Sequence, residues 1–288
     1  MPLRKSILRI AKNCWEGDMR VIVNADDYGF HDNANQAIAK CISDGVVTNT
    51  TAMVTMPAIE SGVSLARKEG FIDKVGLHVN LSEGRPLTDK IKRSRIFCDA
   101  DGNFNGGIRS MRLWRFWLPK AEQIGIAEEI EAQMKLFFKL GFTERHYDSH
   151  GQVGVYWPIL PIALDCAKRF GFKTTRMFIN MSANPHSARL SLLRKMYIGH
   201  IDKRILASGL VKTDYLGLSW DLPRMLNSLP KDAVVELMVH PQYRLPDLTL
   251  DMNGSLVDWK TPYEQSLGPI LESRGKYDLV SFKDLVAC

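Results

Sequence analysis

The chain has 288 residues and a mass of 32.6 kDa, and 45% of its residues are hydrophobic, enough to bury a full core without disulfides. Its net charge of +6 would attract anionic partners, but no Lys/Arg block is long enough to form a nucleic-acid-binding tail. No stretch approaches the roughly 20 apolar residues that span a bilayer, and the N-terminus has no uninterrupted apolar signal region. Five scattered cysteines lack CxxC spacing. We therefore expect a cytoplasmic protein with no stable membrane insertion and no nucleic-acid partner.

Strand-like and helix-like segments alternate through the first third of the chain. β-rich runs predict strands at residues 20–24, 46–56 and 75–81. Apolar residues at helical spacing, each time followed by glycine, predict helices at residues 33–44 and 58–69. This β-α-β-α-β order predicts a parallel sheet with helical crossovers.

The alternation stops at residues 82–124, a segment rich in Gly, Asn, Arg and aromatic residues that we interpret as an excursion over the mouth of the fold. Beyond it we predict a strand that carries Asp148 and His150, further strands at 173–179, 234–241 and 277–282, and helices at 127–140, 158–170, 187–208 and 263–276. No repeat or linker interrupts the pattern. The sequence therefore predicts one α/β domain over residues 1–288, a (β/α) barrel with its core at about 20–288 and residues 1–19 as a lead.

Three polar clusters each follow a strand-like run. Asp26 and Asp27 close the first run, His78 lies in the second, and Asp148 and His150 end the third. Each cluster alone has a structural explanation: a turn, a satisfied core histidine, or a polar network. Because the carboxyl ends of parallel strands meet at one face, the three together favour a functional site.

The residue types in these clusters suit metal-assisted hydrolysis. One carboxylate and two imidazoles can hold a divalent ion and still leave positions for water and substrate. The spare carboxylate of the Asp pair can then take a proton from the water. The sequence therefore predicts an enzyme rather than a binding module.

Four motifs resemble those of the YdjC-like carbohydrate deacetylases, a family that includes chitooligosaccharide deacetylases. In chain order they are residues 24–29 (NADDYG), 76–81 (GLHVNL), 148–150 (DSH) and 236–241 (ELMVHP). The resemblance extends from about residue 20 to the C-terminus. It implies a (β/α) barrel of the polysaccharide-deacetylase type. Such a barrel can be irregular or have seven strands. The implied reaction removes the N-acetyl group from an N-acetylamino sugar or its conjugate.

The same resemblance implies roles for individual residues. Asp27, His78 and His150 are the implied ligands of one divalent ion, Asp26 is the candidate base, and His240 is the candidate general acid or oxyanion partner. Which of the two aspartates is the ligand stays open. Mixed nitrogen and oxygen ligands fit Mg²⁺ and Zn²⁺ as well as Mn²⁺ and Co²⁺, so the ion also stays open.

Three further positions qualify this interpretation. Arg176 lies within a predicted strand, where a buried guanidinium needs a carboxylate; it is a further candidate catalytic residue that orients Asp26, with pairing to a structural acid as the alternative. Gln152 and Gly154 stand where the family commonly has histidines. We expect both on the strand face of His150, where the small Gly154 would widen the pocket and Gln152 would bind a sugar hydroxyl.

Exposed aromatic and basic residues bear on the substrate. We expect Trp114 and Trp117 in the core, while Trp157, close behind the DSH motif, is a candidate to stack on a sugar ring. A basic stretch is expected to be a solvated helix face, with a phosphate-bearing carrier as the alternative; it comprises Arg189, Arg194, Lys195, Lys203 and Arg204. Rival functions are a metal-dependent phosphoester hydrolase and a catalytically silent carbohydrate-binding relative. A homo-oligomer is compatible with all three.

Overall fold

The structure is a computed structural model that describes residues 19–110, 113, 116–181, 192–242 and 267–287. Its strands are β1 (Arg20–Tyr28), β2 (Asn49–Ala52), β3 (Val75–Val79), β4 (His146–Ser149), β5 (Thr174–Thr175), β6 (Tyr215–Leu218), β7 (Val234–Val239) and β8 (Asp278–Leu279). Its α-helices are α1 (Asp32–Ser43), α2 (Ile59–Lys68), α3 (Asp89–Lys92), α4 (Gly107–Ser110), α5 (Lys120–Lys139), α6 (Leu160–Arg169), α7 (Leu192–Ser208), α8 (Asp221–Met225) and α9 (Gly268–Glu272).

All strand pairs in the sheet are parallel, in the order β5-β4-β3-β2-β1-β7-β6, and β8 pairs with the first residues of β1. The two ends of this path approach each other. Thr174 forms a parallel bridge with Val211, and the N–H groups of Asn180 and Met181 both donate to the Leu216 carbonyl. The sheet therefore curls almost into a closed barrel, which confirms the predicted (β/α) barrel in an irregular form with seven strands along the main path.

The early helices lie where the sequence predicts them, since α1 and α2 match residues 33–44 and 58–69 to within a residue at each end. The strand predicted at residues 46–56 is shorter, because β2 covers only four of these residues. The chain turns directly afterwards, where the Met56 N–H donates to the Met53 carbonyl at 3.1 Å. A β-branched run is thus partly used in a turn at the end of the sheet.

Later boundaries differ more from the predictions. The strand predicted at residues 173–179 is only the two residues of β5, and the helix predicted at 127–140 begins seven residues earlier, directly after Pro119. Of the helix predicted at 263–276, the described part forms α9. Residues 1–18 of the predicted lead, residues 187–191 of the predicted basic helix, and Trp114 lie outside the described residues.

Apolar side chains of the strands pack against the inner faces of the helices and are fully buried; examples are Val21, Val23, Leu77, Val235, Leu237, Ile38 and Phe137. Three cysteines in this part of the chain, Cys41, Cys98 and Cys166, are buried free thiols. Among the described helices, none combines the length and apolarity needed to cross a bilayer.

A buried polar network anchors the excursion that follows β3. Gln133 of α5 accepts from the Asn80 N–H at 2.9 Å and donates to the Asn80 carbonyl at 2.7 Å. Glu129, one turn earlier, accepts hydrogen bonds from the backbone N–H groups of Leu87 and Thr88. These bonds satisfy backbone groups that no strand partner reaches. They fix the start of the excursion at the carboxyl end of β3, beside the predicted site.

Glycine at position 76 allows β3 to approach its neighbours closely. A Cβ at Gly76 would lie 2.8 Å from the His146 carbonyl oxygen and 3.2 Å from Cγ2 of Thr51. The close approach sets the register in which His78 lies opposite Asp148. The position of one site residue thus depends on the absence of a side chain two residues earlier.

Gly76→Ala should destabilise the fold by about 1–3 kcal/mol, because the new methyl group meets backbone rather than a movable side chain. Gly199→Ala is the matched control. It lies inside α7 with nothing within 4 Å of the added Cβ, and should stabilise the protein by about 0.5–1 kcal/mol. Urea unfolding of both variants measures the difference. Equal stability of the two variants would contradict this account of β3.

Candidate metal and catalytic site

A bulge at the end of β1 turns two neighbouring aspartates toward one place. The pairing of β1 with β2 shifts register between Ala25 and Tyr28, and Asp27 adopts a left-handed backbone with φ 67°. In a regular strand the side chains of Asp26 and Asp27 would point to opposite faces. Here both carboxylates lie near His78 Nε2, at 3.8 Å from Asp26 Oδ2 and 3.3 Å from Asp27 Oδ1. The bulge therefore creates the paired carboxylate.

The three predicted metal ligands converge in the structure. Asp27 Oδ1 lies 3.3 Å from His78 Nε2 and 2.9 Å from His150 Nδ1, and one ligand atom from each residue lies within 4.8 Å of the others. All three residues are buried. One carboxylate oxygen and two imidazole nitrogens at this spacing form a donor set that fits a divalent ion.

Asp148 orients His78. Its Oδ1 lies 2.5 Å from His78 Nδ1, which leaves His78 Nε2 directed at Asp27. A carboxylate behind a histidine in this way fixes the ring for metal binding. Burial lowers the pKa of His78, but the nearby Asp148 and Asp26 carboxylates outweigh it and raise that pKa to about 10. An ion at Nε2 therefore competes with a proton.

Two residues of the excursion, neither of them predicted, lie behind His150. Arg109 Nη1 is 3.4 Å and Glu83 Oε1 is 3.9 Å from His150 Nε2, and the Arg109 and Glu83 side chains are 3.6 Å apart. An ion held by His150 Nδ1 would leave the ring proton on Nε2, which faces the Glu83 carboxylate at 3.9 Å. No local sequence pattern marks either residue.

Arg176 sits among three buried carboxylates. Its Nη1 and Nη2 donate to the two oxygens of Asp26 at 2.6 and 2.7 Å, Nη2 lies 2.8 Å from Asp148 Oδ2, and Nε donates to Glu236 Oε1 at 2.6 Å. The two partners that the sequence leaves open, Asp26 and a structural acid, are both present. Burial raises the pKa of Asp26, but the guanidinium outweighs it and lowers that pKa to about 2.

The Arg176 cluster also decides which acidic group suits a cation. Two other sets of potential ligands, one with Asp26 and Asp148 and one with Asp148 and Glu236, use carboxylates that the guanidinium already neutralises. Asp27 makes its contacts with imidazoles instead. The Asp27, His78 and His150 group is therefore where an additional positive charge is best balanced.

His240 follows β7 and lies near both aspartates. Its Nε2 is 3.9 Å from Asp26 Oδ2 and 3.9 Å from Asp27 Oδ2. These residues, with Phe30 and His31, line a cleft of about 50 Å³. The cleft has room for an ion and small groups.

The expectation that Gln152 and Gly154 lie on the same strand face as His150 is wrong. Residues His150–Val155 form a 3-10 segment rather than a strand, with φ 60° at Gly151 and 58° at Gln152. Gly154 packs against Ser149, whose Oγ would lie 2.8 Å from an added Cβ. A histidine at position 154 would therefore clash rather than face the ion, and the glycine does not widen the cleft.

His146 is the first residue of β4 and does not belong to the Asp27, His78 and His150 group. Its ring stacks on Phe282 with centroids 3.4 Å apart, and its Nδ1 lies 3.0 Å from Thr174 Oγ1. Burial and the charge of Arg176 hold its pKa well below the usual value. A neutral histidine in this position fills the barrel interior.

A curled parallel α/β sheet with an Asp-His-His cluster and a second aspartate at the carboxyl ends of its strands is an α/β-barrel fold with residues that could hold a metal ion. The chain belongs to the YdjC-like protein family, whose model matches residues 20–265.

Named relatives share parts of the chain. This chain is 40% identical over 152 residues to a carbohydrate deacetylase of Vibrio cholerae serotype O1. The match covers 53% of this chain and 56% of that protein. The chain thus spans about half the length of this relative. It is 29% identical to a carbohydrate deacetylase of Halalkalibacterium halodurans over 78% of this chain and 86% of that protein.

A crystal structure supports the fold alone. It is of an Enterococcus faecalis V583 protein whose name gives it a proposed role in cellobiose-phosphate cleavage. The TM-score is 0.68 and the sequence identity is 21%. The match covers 93% of this chain and 99% of the Enterococcus chain.

Replacing Asp27, His78 or His150 with alanine should abolish tight binding of one divalent ion per chain, because each change removes one of three donors. Metal analysis after dialysis, together with calorimetric titration of Mg²⁺ and Zn²⁺, measures the loss. His240→Ala is the control. It borders the same cleft without belonging to the donor set and should retain the ion. Unchanged metal content in all three ligand variants would rule out the site.

Proposed function

We propose that this protein is a metal-dependent hydrolase that removes the N-acetyl group from an N-acetylamino sugar or its conjugate. The observation that carries the proposal is the convergence of Asp27, His78 and His150 on one point with the second carboxylate of Asp26 beside them. The names of the relatives, carbohydrate deacetylases, supply the substrate class.

Asp27 Oδ1, His78 Nε2 and His150 Nδ1 would hold the ion, Mg²⁺ or Zn²⁺. When bound, the ion supplies positive charge that polarises the amide carbonyl and makes a nearby water more acidic. The residues then divide the remaining work. Asp148 keeps the His78 ring in its orientation, and the Glu83 carboxylate lies 3.9 Å from His150 Nε2.

Asp26 is the base of this proposal. Arg176 holds both of its oxygens, and Asn24 donates to Oδ1 at 2.8 Å, so the carboxylate is ionised at neutral pH and fixed in direction. It takes the proton of the water that attacks the amide carbon. The arginine thus keeps the base unprotonated and in place rather than acting on the substrate.

His240 is the proton donor to the leaving nitrogen. Its Nε2, 3.9 Å from Asp26 Oδ2, lies where a proton taken by the carboxylate can be passed to an imidazole. Protonation of the nitrogen lets the C–N bond break, and the products are acetate and the free amino sugar. The buried thiols of Cys41, Cys98 and Cys166 fit a reducing cytoplasmic location, which we include in the proposal.

Acetate release tests this function. The purified protein, supplied with Mg²⁺ or Zn²⁺, is offered N-acetylglucosamine, chitooligosaccharides, glycoconjugates and phosphoesters. We expect acetate from at least one acetylated sugar and no phosphate from the phosphoesters. Sugar binding without acetate would indicate the silent relative, and phosphate release would indicate the phosphoester hydrolase.

Asp26→Asn should reduce turnover by about 10²–10⁴-fold, because the amide keeps the shape of the side chain and loses its basicity. Metal content should stay at the wild-type level, since Asp26 is not in the donor set. Acetate release and metal analysis on the same preparation measure both. Loss of the ion in this variant, with its retention in Asp27→Asn, would exchange the roles of the two aspartates.

Arg176→Met should move the acidic limb of the kcat/KM profile to higher pH by about 1–3 units, because the effect of burial, which raises the pKa of Asp26, is then opposed only by His78 and His240. In the wild type the lowered pKa of Asp26 contributes stability above its unfolded value, about 3.9, and this contribution is lost as pH falls toward 2. The melting temperature of the wild type should therefore fall as pH drops from about 3.9 toward 2, and Arg176→Met should lack this contribution.

Two variants complete this test. Arg176→Lys keeps the positive charge but cannot bind both oxygens of Asp26 at once, so it should move the acidic limb by less than Arg176→Met does. Arg169→Met removes an exposed arginine that pairs with Glu131 and Asp165, and should leave both profiles unchanged. An acidic limb that does not move in either Arg176 variant would exclude Asp26 as the titrating base.

A further inference from the structure

Large apolar side chains are exposed on three segments of the chain that meet at Tyr197. On α7, Leu192, Leu193 and Met196 are 73%, 77% and 63% exposed. Leu113, Phe116 and Trp117 of the excursion are also exposed, as is Trp157, so the expectation that Trp117 lies in the core is wrong. We call these seven residues the apolar patch. Scattered single apolar residues need no explanation, but exposed apolar residues on neighbouring segments of the surface are typical of an interaction surface.

Tyr197 joins the parts of the apolar patch. Its ring centroid is 6.2 Å from that of Phe116 and 6.4 Å from that of Trp157. Leu193 precedes it by four residues on α7, so both lie on the same side of the helix. The excursion, the segment after β4 and α7 therefore contribute to one surface.

The apolar patch lies beside the mouth of the candidate site. The Tyr197 hydroxyl donates to the Val155 carbonyl at 2.8 Å, in the 3-10 segment that begins with His150. On the other side, Arg109, 3.4 Å from His150 Nε2, precedes the exposed Leu113 by four residues. A surface that covers the patch would thus hold its own groups next to the cleft.

Positive charge accompanies the apolar residues. Three basic residues of helix α7 are exposed, Lys195, Lys203 and Arg204, while Arg194 is partly buried and donates to the Ile179 carbonyl at 3.3 Å. The one acidic residue of the helix, Asp202, lies 3.4 Å from Lys212. Two copies of the chain that met through this face about a two-fold axis would place like charges against each other. An anionic surface would instead be attracted by the same residues.

We propose that the apolar patch and the basic residues of α7 bind the surface of an anionic lipid bilayer, and that the substrate is an N-acetylamino sugar carried on a lipid in that bilayer. The substrate half of this statement rests on the proposed deacetylase function. Exposed leucine, phenylalanine and tryptophan side chains beside lysine and arginine are the composition of a surface that lies in the headgroup region. Bound in this way, the protein would direct its cleft toward sugars at the bilayer surface.

Vesicle sedimentation tests the surface without reference to catalysis. Vesicles of phosphatidylcholine alone are compared with vesicles that also contain phosphatidylglycerol. The wild type should bind the anionic vesicles more tightly, and added salt should weaken that binding. Lys195→Gln/Lys203→Gln should weaken it by about fivefold for each charge removed.

The apolar residues are tested by Leu192→Gln/Leu193→Gln/Met196→Gln. Glutamine is a good helix former, so these exposed positions should tolerate it without loss of fold. The matched control is Leu206→Gln, since Leu206 is exposed on the same helix about 15 Å further along its axis. We expect the triple variant to lose vesicle binding and the control to retain it.

Activity separates the two proposals. Acetate release is measured on a short chitooligosaccharide in solution and on a lipid-anchored N-acetylglucosamine in the anionic vesicles. The triple variant should match the wild type on the soluble sugar and lose at least about tenfold on the lipid-anchored one.

Each alternative result has its own meaning. Wild-type protein that releases acetate from the soluble sugar but binds no vesicles would overturn the bilayer proposal and leave the proposed function intact. Vesicle binding without acetate from either substrate would overturn the proposed function and the lipid-anchored substrate, but not the surface. A stable dimer in sedimentation velocity that the triple variant converts to monomer would assign the patch to a second copy of the chain and also overturn the proposal.

Discussion

The site depends on one buried guanidinium. Arg176 lies within hydrogen-bond distance of Asp26, Asp148 and Glu236, all of them removed from water. Without it, three carboxylates would be buried side by side, which costs several kcal/mol for each uncompensated charge. Burial raises the pKa of Glu236 to about 7 even against the pull of Arg176, so at neutral pH part of the negative charge in this cluster is neutralised by a proton. The buried negative charges of these carboxylates are therefore nearly balanced by the guanidinium and by a proton.

The same guanidinium connects the two functional halves of the site. Through Asp26 it holds the candidate base, and through Asp148 it reaches His78, one of the candidate ion ligands. The base and the ligand are thus oriented by one rigid planar group rather than by two independent contacts. This explains why Asp26 faces Arg176 and Asp27 faces the histidines: the bulge in β1 supplies two carboxylates, and their partners divide them between positioning and ion binding.

Much of the fold follows from local sequence patterns. Apolar spacing predicts α1 and α2 almost to the residue, and the β-α alternation predicts the parallel sheet. Prediction fails where length is set by partners far along the chain. β5 contains only two residues because the chain leaves the sheet after Thr175 and rejoins it beside β6. The 3-10 segment at His150–Val155 depends on two consecutive left-handed residues, Gly151 and Gln152, and alternation of residue types does not reveal them.

For the site, the sequence by itself determined which residues are candidates for the chemistry, because Asp26, Asp27, His78, His150 and His240 stand in short motifs in or after strand-like runs. Only the tertiary structure decided how they are paired. The bulge at Asp27, the fork of Arg176 on Asp26 and Glu236, and the approach of Glu83 to His150 join residues that lie from tens to more than a hundred positions apart. A motif records the identity of a side chain and its immediate neighbours. The partner that it meets, and therefore its charge and direction, is fixed by strand register and packing across the whole barrel.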